Sequence, residues 1–282
     1  MVKLVECPRD AMQGIRRYIP ASLKADYINA LLAVGFDTID FGSFVSPKAI
    51  PQMQDTASVL KKLDLSETKS RLLAIVANER GAREALAFPE ISFIGFPFSV
   101  SETFQKRNTN STITESLCTV DKIQEMCLSG NRNLVIYISM GFGNPYGDLW
   151  NTDIVAGWVE KIAAMGIKTI SLSDTVGVAD IGSIRSLFSS LIPACPSVEF
   201  GAHLHTTPAS WKEKIETAYA SGCRRFDSAI KGFGGCPMAK DELVGNMPTE
   251  RLVEFFSERG VLPGMDLSEL AAAGRIAEVV FI

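Results

Sequence analysis

The chain has only two histidines, and they stand two residues apart in Gly201-Ala202-His203-Leu204-His205-Thr206-Thr207. On a β-strand that spacing turns both imidazoles to one face, and two imidazoles facing inward at a strand end read as a metal site. Neutral imidazoles joined by one carboxylate and an amide oxygen suit a hard or borderline divalent cation. They leave positions open for water or substrate, so Mg²⁺ or Mn²⁺ is expected, while Zn²⁺ or Fe²⁺ also accepts such ligands. Other reactive residues fall directly after apolar runs. Arg9 and Asp10 come after the first, Asp40 ends the second, Asp174 ends the sixth, and Lys231-Gly232-Phe233-Gly234-Gly235-Cys236-Pro237 comes after the eighth. Three glycines and a proline around one thiol have the composition of a mobile loop able to close over a substrate.

The elements that must position these groups are legible as an alternation. Short β-rich runs occur at Lys3–Cys7, Phe36–Phe41, Arg71–Ala77, Ile91–Phe98, Leu134–Met140, Ile167–Ser173, Val198–His205 and Arg225–Ile230. Between them lie stretches of helical periodicity: Ala21–Val34, Pro51–Leu63, Gly81–Ala87, Ile113–Leu128, Asp153–Met165, Gly182–Leu191 and Trp211–Ala220. Eight β-then-α units in 282 residues predict an α/β fold, a (β/α)₈ TIM barrel forming one domain over residues 1–282. In such a barrel the strand C-termini share one rim, so these reactive residues should meet there. Gly35, Gly166 and Gly222 are placed to end helices in the left-handed conformation. A doubly wound sheet would instead carry a Gly-rich phosphate loop, and neither GxGxxG nor GxxxxGK[ST] occurs. Leu252–Ile282 reads as extra C-terminal helices broken at Pro263-Gly264, with Asp266 or Ser268 opening the last.

Composition excludes other classes. Apolar residues make up 46% and charged residues 21%, enough for a large core. A net charge of -4 and pI near 5.4, without a Lys or Arg block, give no footprint for nucleic acid or an anionic membrane. No apolar run reaches spanning length and the start MVKLVECPRD lacks a signal-peptide layout, so the expected compartment is the cytoplasm. Six cysteines without CxxC spacing indicate neither a zinc knuckle nor a redox pair.

Taken in order, Glu6-Cys7-Pro8-Arg9-Asp10, Ser43-Phe44-Val45-Ser46-Pro47-Lys48, Ser171-Leu172-Ser173-Asp174-Thr175-Val176-Gly177-Val178, His203-Leu204-His205 and Gly232-Phe233-Gly234-Gly235-Cys236-Pro237 resemble the hydroxymethylglutaryl-CoA lyases. The likeness spans nearly the whole chain. SFVSPK and GFGGCP are fairly specific to that branch, whereas Arg-Asp and His-x-His are shared with other aldolases and acyl-CoA-condensing synthases of the metal-barrel superfamily. The resemblance implies that Asp10, His203, His205 and Asn246 are metal ligands, and that Arg9, Asp40, Asp174, Cys236 and His203 take part in catalysis. It further implies an acyl-CoA substrate cleaved to acetyl-CoA and acetoacetate, in leucine breakdown or ketone-body formation, and a homodimer. CoA's phosphorylated head calls for basic side chains near the rim, for which Lys48 and Arg107 are the candidates.

The chemistry suits these types. Retro-Claisen cleavage must deprotonate a tertiary alcohol and hold the leaving enolate. A cation would lower the pKa of the hydroxyl, Arg9 would offer a permanent charge to the enolate oxygen, Asp174 or a histidine would take the proton, and Cys236 would return one to carbon. The chain departs from the family pattern at Asp40, where Glu is usual, and at Thr206, where an Asp able to orient a ligand usually comes after His-x-His. Ala11-Met12 and Ser139–Tyr146 also differ beside the expected acyl pocket, which allows a different branched hydroxyacyl-CoA. Two alternatives stand beside the lyase. A related aldolase or acyl-CoA synthase is one, although the residues after Asn246 leave no room for the added domain such synthases carry; a non-catalytic CoA-binding barrel is the other, which would tolerate loss of Arg9, Asp10 or a histidine.

Overall fold

The computed structural model describes residues 1–235, 244–262 and 264–282. Each of the eight apolar runs supplies a strand, β1 (Lys3–Glu6), β2 (Thr38–Ser43), β3 (Arg71–Ile75), β4 (Ile91–Ser99), β5 (Asn133–Ser139), β6 (Thr169–Ser173), β7 (Glu199–His203) and, after a short β8 (His205–Thr206), β9 (Arg225–Ser228). In the order β1-β2-β3-β4-β5-β6-β7-β9 they close into a barrel, with every neighbouring pair parallel. β8 leaves the barrel and pairs antiparallel with β10 (Gly245–Asn246).

Strands buried on both faces explain why the runs read as nearly continuous apolar sequence. Leu73, Ile75, Phe93, Val135 and Tyr137 form one cluster, whereas the alternating Leu72, Ala74, Ile94, Leu134 and Ile136 belong to the larger core. This is the two-residue period of strands with an inward and an outward face. The N-terminal end of the barrel is closed by ion pairs: Arg71 Nη2 donates to both Asp37 carboxylate oxygens at 2.6 and 2.7 Å, Arg225 reaches Asp37 at 3.5 Å and Glu199 at 3.8 Å, and Lys3 pairs with Glu199.

The helices are α1 (Pro8–Gln13), α2 (Ala21–Val34), α3 (Thr56–Leu60), α4 (Glu79–Leu86), α5 (Glu102–Thr109), α6 (Ile113–Ser129), α7 (Thr152–Ala164), α8 (Ile181–Ala194), α9 (Trp211–Ala220), α10 (Thr249–Glu258) and α11 (Leu267–Phe281). Gly35, Gly166 and Gly222 take positive φ, as their position between helix and strand requires. Asp266 opens α11, its Oδ1 accepting the Ser268 and Glu269 amides, and α11 docks on α2 with Phe281 edge-on to Tyr27.

Four elements differ from the sequence expectation. Pro51–Leu63 is not one helix: a 3₁₀ turn at Pro51–Met53 precedes α3, because the Thr56 hydroxyl donates to the Met53 carbonyl and accepts the Ser43 amide, breaking the ladder between them. α1 and α5 are additional to the expected helices, although Pro8 stands at the first helical position and Ser101 caps α5 by accepting the Phe104 amide. The run Val198–His205 ends as a barrel strand at His203, since His205 and Thr206 turn to pair with Asn246 and Gly245.

Candidate active site

At the C-terminal ends of the strands lies a cavity of about 450 Å³, within the size range of small-molecule sites. Its wall includes Arg9, Asp10 and Gln13 from α1, Val45, Ala49 and Ile50 after β2, Tyr137 and Ser139 from β5, Ser173 and Thr175 around the end of β6, His203, His205, Gly235, and Phe104, Arg107, Asn108 and Thr109 from α5.

Asp10, His203 and His205 each offer a ligand atom, all within 4.8 Å of one another. The interruption at Leu204 does not separate the imidazoles, whose ring centroids are 5.6 Å apart. Asn246 joins them: its Nδ2 donates to Asp10 Oδ2 at 3.0 Å and to the Phe233 carbonyl at 2.9 Å. Both ring nitrogens of His205 are buried without a hydrogen-bond partner among the described residues, an arrangement that costs free energy unless something fills the coordination. Burial, and secondarily the neighbouring His203, lowers the His205 pKa, keeping a lone pair available. Burial alone would raise Asp10, but Arg9 and the two histidines outweigh it and hold the carboxyl below its ordinary value. Two imidazoles and one ionised carboxylate are a donor set that fits a divalent cation.

Arg9 is almost fully buried and locked from two sides. Its Nε donates to both Asp40 oxygens at 3.2 and 3.0 Å and its Nη2 to Asp40 Oδ2 at 2.5 Å. Its Nη1 donates to Asp10 Oδ1 at 3.2 Å and Gln13 Oε1 at 2.9 Å, while Gln13 Nε2 donates to Asp10 Oδ1 at 2.9 Å. Burial opposes the guanidinium charge, but Asp40 and Asp10 more than restore it and raise its pKa. Burial lifts the Asp40 carboxyl to about 6 against the pull of Arg9. The shorter arm of Asp40 is therefore used in full to clamp Arg9, without contributing to the cavity wall.

His203 has a carboxylate partner after all. Its Nδ1 lies 3.1 Å from Asp227 Oδ2; a carboxylate only accepts, so Nδ1 carries the proton and Nε2 is left for a ligand. Burial works against protonating His203, yet Asp227 outweighs it and raises the pKa. The carboxylate missing at Thr206 is thus supplied, for His203, from β9. Tyr137 stands edge-on to His203 at 5.8 Å.

The remaining expected residues are placed unevenly. Arg107 lines the cavity with its guanidinium 4.7 Å over the Tyr146 ring. Lys48 is exposed on the segment between Val45 and Ala49 and is not part of the wall. Asp174 is buried and, unlike Ser173 and Thr175 beside it, does not line the cavity, because its Oδ2 accepts from Lys214 Nζ at 2.7 Å and its Oδ1 from the Ala179 amide at 2.9 Å. Cys236 lies outside the described residues. Asp227, Gln13 and Tyr137 escape a sequence reading confined to the polar residues at and just beyond each strand end. Gln13 is three and four residues beyond Asp10 and Arg9, the spacing that shares a helix face, and the alternation Arg225-Phe226-Asp227 marks an inward polar face.

A barrel with two imidazoles and a carboxylate at its C-terminal mouth places the chain in the class of metal-site barrel carbon–carbon lyases and their relatives. The HMGL-like family model matches residues 2–277, and the chain belongs to that family. The bovine mitochondrial hydroxymethylglutaryl-CoA lyase is 33% identical over 276 residues, covering 97% of this chain and 83% of the bovine one. The solved HMG-CoA lyase of Brucella melitensis superposes with a TM-score of 0.92 at 30% identity, covering 99% and 98% of the two chains. That of Acinetobacter baumannii, solved with coenzyme A and 3-methylmalate, superposes with a TM-score of 0.91 at 29% identity, covering 100% and 91%. Relatives carrying the lyase name include mitochondrial and cytoplasmic ones, and among the described residues no helix is long and apolar enough to cross a membrane.

Proposed function

We propose that this protein cleaves 3-hydroxy-3-methylglutaryl-CoA to acetyl-CoA and acetoacetate, acting with Mg²⁺ or Mn²⁺ held by Asp10, His203 and His205, with Asn246 beside them. The observation that carries the reading is the convergence of those three ligand groups on the Arg9–Asp40 pair in a chain one-third identical to named lyases over nearly its full length. A divalent cation in this place supplies Lewis acidity that makes the substrate's tertiary hydroxyl acidic at neutral pH.

The chain's own residues do the rest. Arg9 directs its one uncommitted Nη2 hydrogen and its positive charge at the thioester oxygen, where the enolate's charge develops as the carbon–carbon bond breaks. Because Asp40 and Gln13 hold the guanidinium in place, little reorganisation is needed at that moment. His203, oriented by Asp227, turns Nε2 to the cation, the substrate's hydroxyl proton leaves to solvent at the cavity mouth, and Cys236 gives a proton to the enolate carbon to complete acetyl-CoA. The apolar wall of Val45, Ile50 and Ile75 takes the branched acyl chain and excludes water. Arg107 on α5 stands at the mouth to meet CoA's phosphates.

The test is a coupled assay for acetyl-CoA and acetoacetate release, with Mg²⁺ or Mn²⁺ and with chelator. Turnover that requires the cation is expected. A folded, cation-loaded protein that cleaves a different branched hydroxyacyl-CoA but leaves this one intact would move the assignment to that substrate.

A further inference from the structure

We infer that Lys214 and Asp174 form a buried clamp that positions the two metal-site imidazoles, and that Asp174 acts through this clamp without itself taking a proton from substrate. The inference rests on the reading of Asp10, His203 and His205 as a metal centre.

The need for a clamp arises from the break in the strand. β7 ends at His203, where the ladder to β6 is completed by the Asp174 amide donating to the His203 carbonyl at 2.9 Å. Beyond Leu204 the chain has left the barrel, yet His205 must present its imidazole beside that of His203. Lys214 supplies the rung the ladder no longer offers: its Nζ donates to the His205 carbonyl at 2.8 Å and to Asp174 Oδ2 at 2.7 Å. Asp174 is therefore tied to the backbone on both sides of Leu204, by its own amide on one side and through Lys214 on the other.

Both groups are deeply buried, Asp174 at 1% and Lys214 at 5% exposure. The ammonium is delivered from α9, which packs outside the barrel, by a long buried stem. The second carboxylate oxygen accepts the Ala179 amide and the side chain does not line the cavity, so Asp174 is turned away from a substrate proton. Partners behind a metal ligand fix its orientation, and losing one commonly weakens metal binding by about 10–100-fold. Here the fixed object is a backbone segment carrying two ligands.

The experiment measures Mn²⁺ affinity of chelator-treated protein by electron paramagnetic resonance, beside turnover of 3-hydroxy-3-methylglutaryl-CoA, for wild type, Asp174→Asn and the double variant Asp174→Asn/Lys214→Met. The double variant removes the clamp without stranding a buried charge. Asp174→Asn keeps one acceptor but leaves the Lys214 ammonium without its counter-charge and turns an NH2 toward a donor, so its affinity should fall by about threefold to tenfold, with turnover recovering as Mn²⁺ is raised. The double variant should bind Mn²⁺ about tenfold more weakly or worse, with turnover recovering as Mn²⁺ is raised. An Asp174→Asn protein that binds Mn²⁺ normally but loses turnover about a thousandfold overturns the inference, because it makes Asp174 the proton acceptor. A double variant that binds as tightly as wild type overturns the clamp alone, whereas a wild type that binds no Mn²⁺ overturns the metal centre and the clamp together. If the double variant does not fold, ¹⁵N-lysine labelling of the wild type replaces it. A protected ammonium signal, absent in Lys214→Arg, should move on addition of Mg²⁺, and a signal indifferent to Mg²⁺ overturns the clamp.

Discussion

At the scale of single residues the site is held by directional bonds whose removal should be felt in specific ways. Asp227→Asn swaps the acceptor on His203 Nδ1 for a group that can also donate, so the ring is no longer fixed with Nε2 toward the cavity. Mn²⁺ affinity should fall by about 10–100-fold, read by metal titration; unchanged affinity would separate Asp227 from the metal centre. Arg9→Lys keeps the charge but loses the fork that spans Asp40, Asp10 and Gln13. The expected loss is about 10²–10³ in kcat, the size seen when one fixed donor to a developing oxyanion is removed, with metal affinity nearly preserved. The histidine pair is legible in the sequence because extended backbone with a spacing of two sends both rings to one side, even though the barrel strand itself ends at His203. Asp227 is not, because its contact with His203 depends on the register of β7 against β9, which pairs Ala202 with Phe226 and which no local pattern encodes.

At the scale of elements, Glu6 ties the end of β1 to the loop that enters the site. Its Oε1 accepts the Ile230 amide at 2.8 Å, and its Oε2 lies 2.5 Å from Thr249 Oγ1. The same threonine hydroxyl is 2.9 Å from Ser228 Oγ. Burial pushes the Glu6 pKa up from its ordinary value to about 8, against the Thr249 and Ile230 hydrogen bonds. The folded pKa is raised, so this residue's contribution is fully present below about pH 4.5 and is lost as pH rises through 8. Glu6→Gln, which keeps an acceptor for the Ile230 amide, should therefore raise the melting temperature at pH 8–9 relative to wild type and confer no such gain near pH 4.5. A gain independent of pH would mean that Glu6 carries no buried ionisation cost.

A second element-scale prediction concerns α5, which carries Phe104, Arg107, Asn108 and Thr109 to the cavity. Asp148 holds its first turn by accepting from Ser101 Oγ at 2.5 Å, the Thr103 amide at 2.9 Å and Thr103 Oγ1 at 2.9 Å. Asp148→Ala should cost about 1–2 kcal/mol of stability and raise KM for the acyl-CoA more than it lowers kcat, since α5 touches the cavity mouth and not the metal site. α5 and α1 are hard to read from sequence because each is short, six or eight residues, too brief for periodicity to stand out. Their start signals are nevertheless present at Pro8 and Ser101. The β8–β10 ladder is illegible for another reason, since two residues pair with two others some forty positions away.

At the scale of the whole molecule the barrel is readable because its constraint is repeated eight times. Each strand is buried on both faces and each must lead into a helix, so errors in single boundaries leave the architecture intact. The same closure brings residues from the ends of β1 and β7 within one coordination sphere without either being near the other in sequence. Cation binding should then stabilise the whole fold: at about 100 times Kd the gain is about 2.7 kcal/mol, or roughly 5–10 °C in Tm for a domain of this size. His205→Ala should abolish that increment while leaving the cation-free melting temperature near or above that of wild type, because it removes two orphaned buried nitrogens.

The most direct measurement of the central claim is a titration of chelator-treated protein with Mn²⁺ in which bound metal and acyl-CoA cleavage are monitored together, beside His203→Ala. Turnover should rise from baseline in proportion to one bound equivalent, and the variant should neither bind nor cleave over the same range. Cleavage by metal-free wild type, or by a His203→Ala protein that holds no Mn²⁺, would contradict the account.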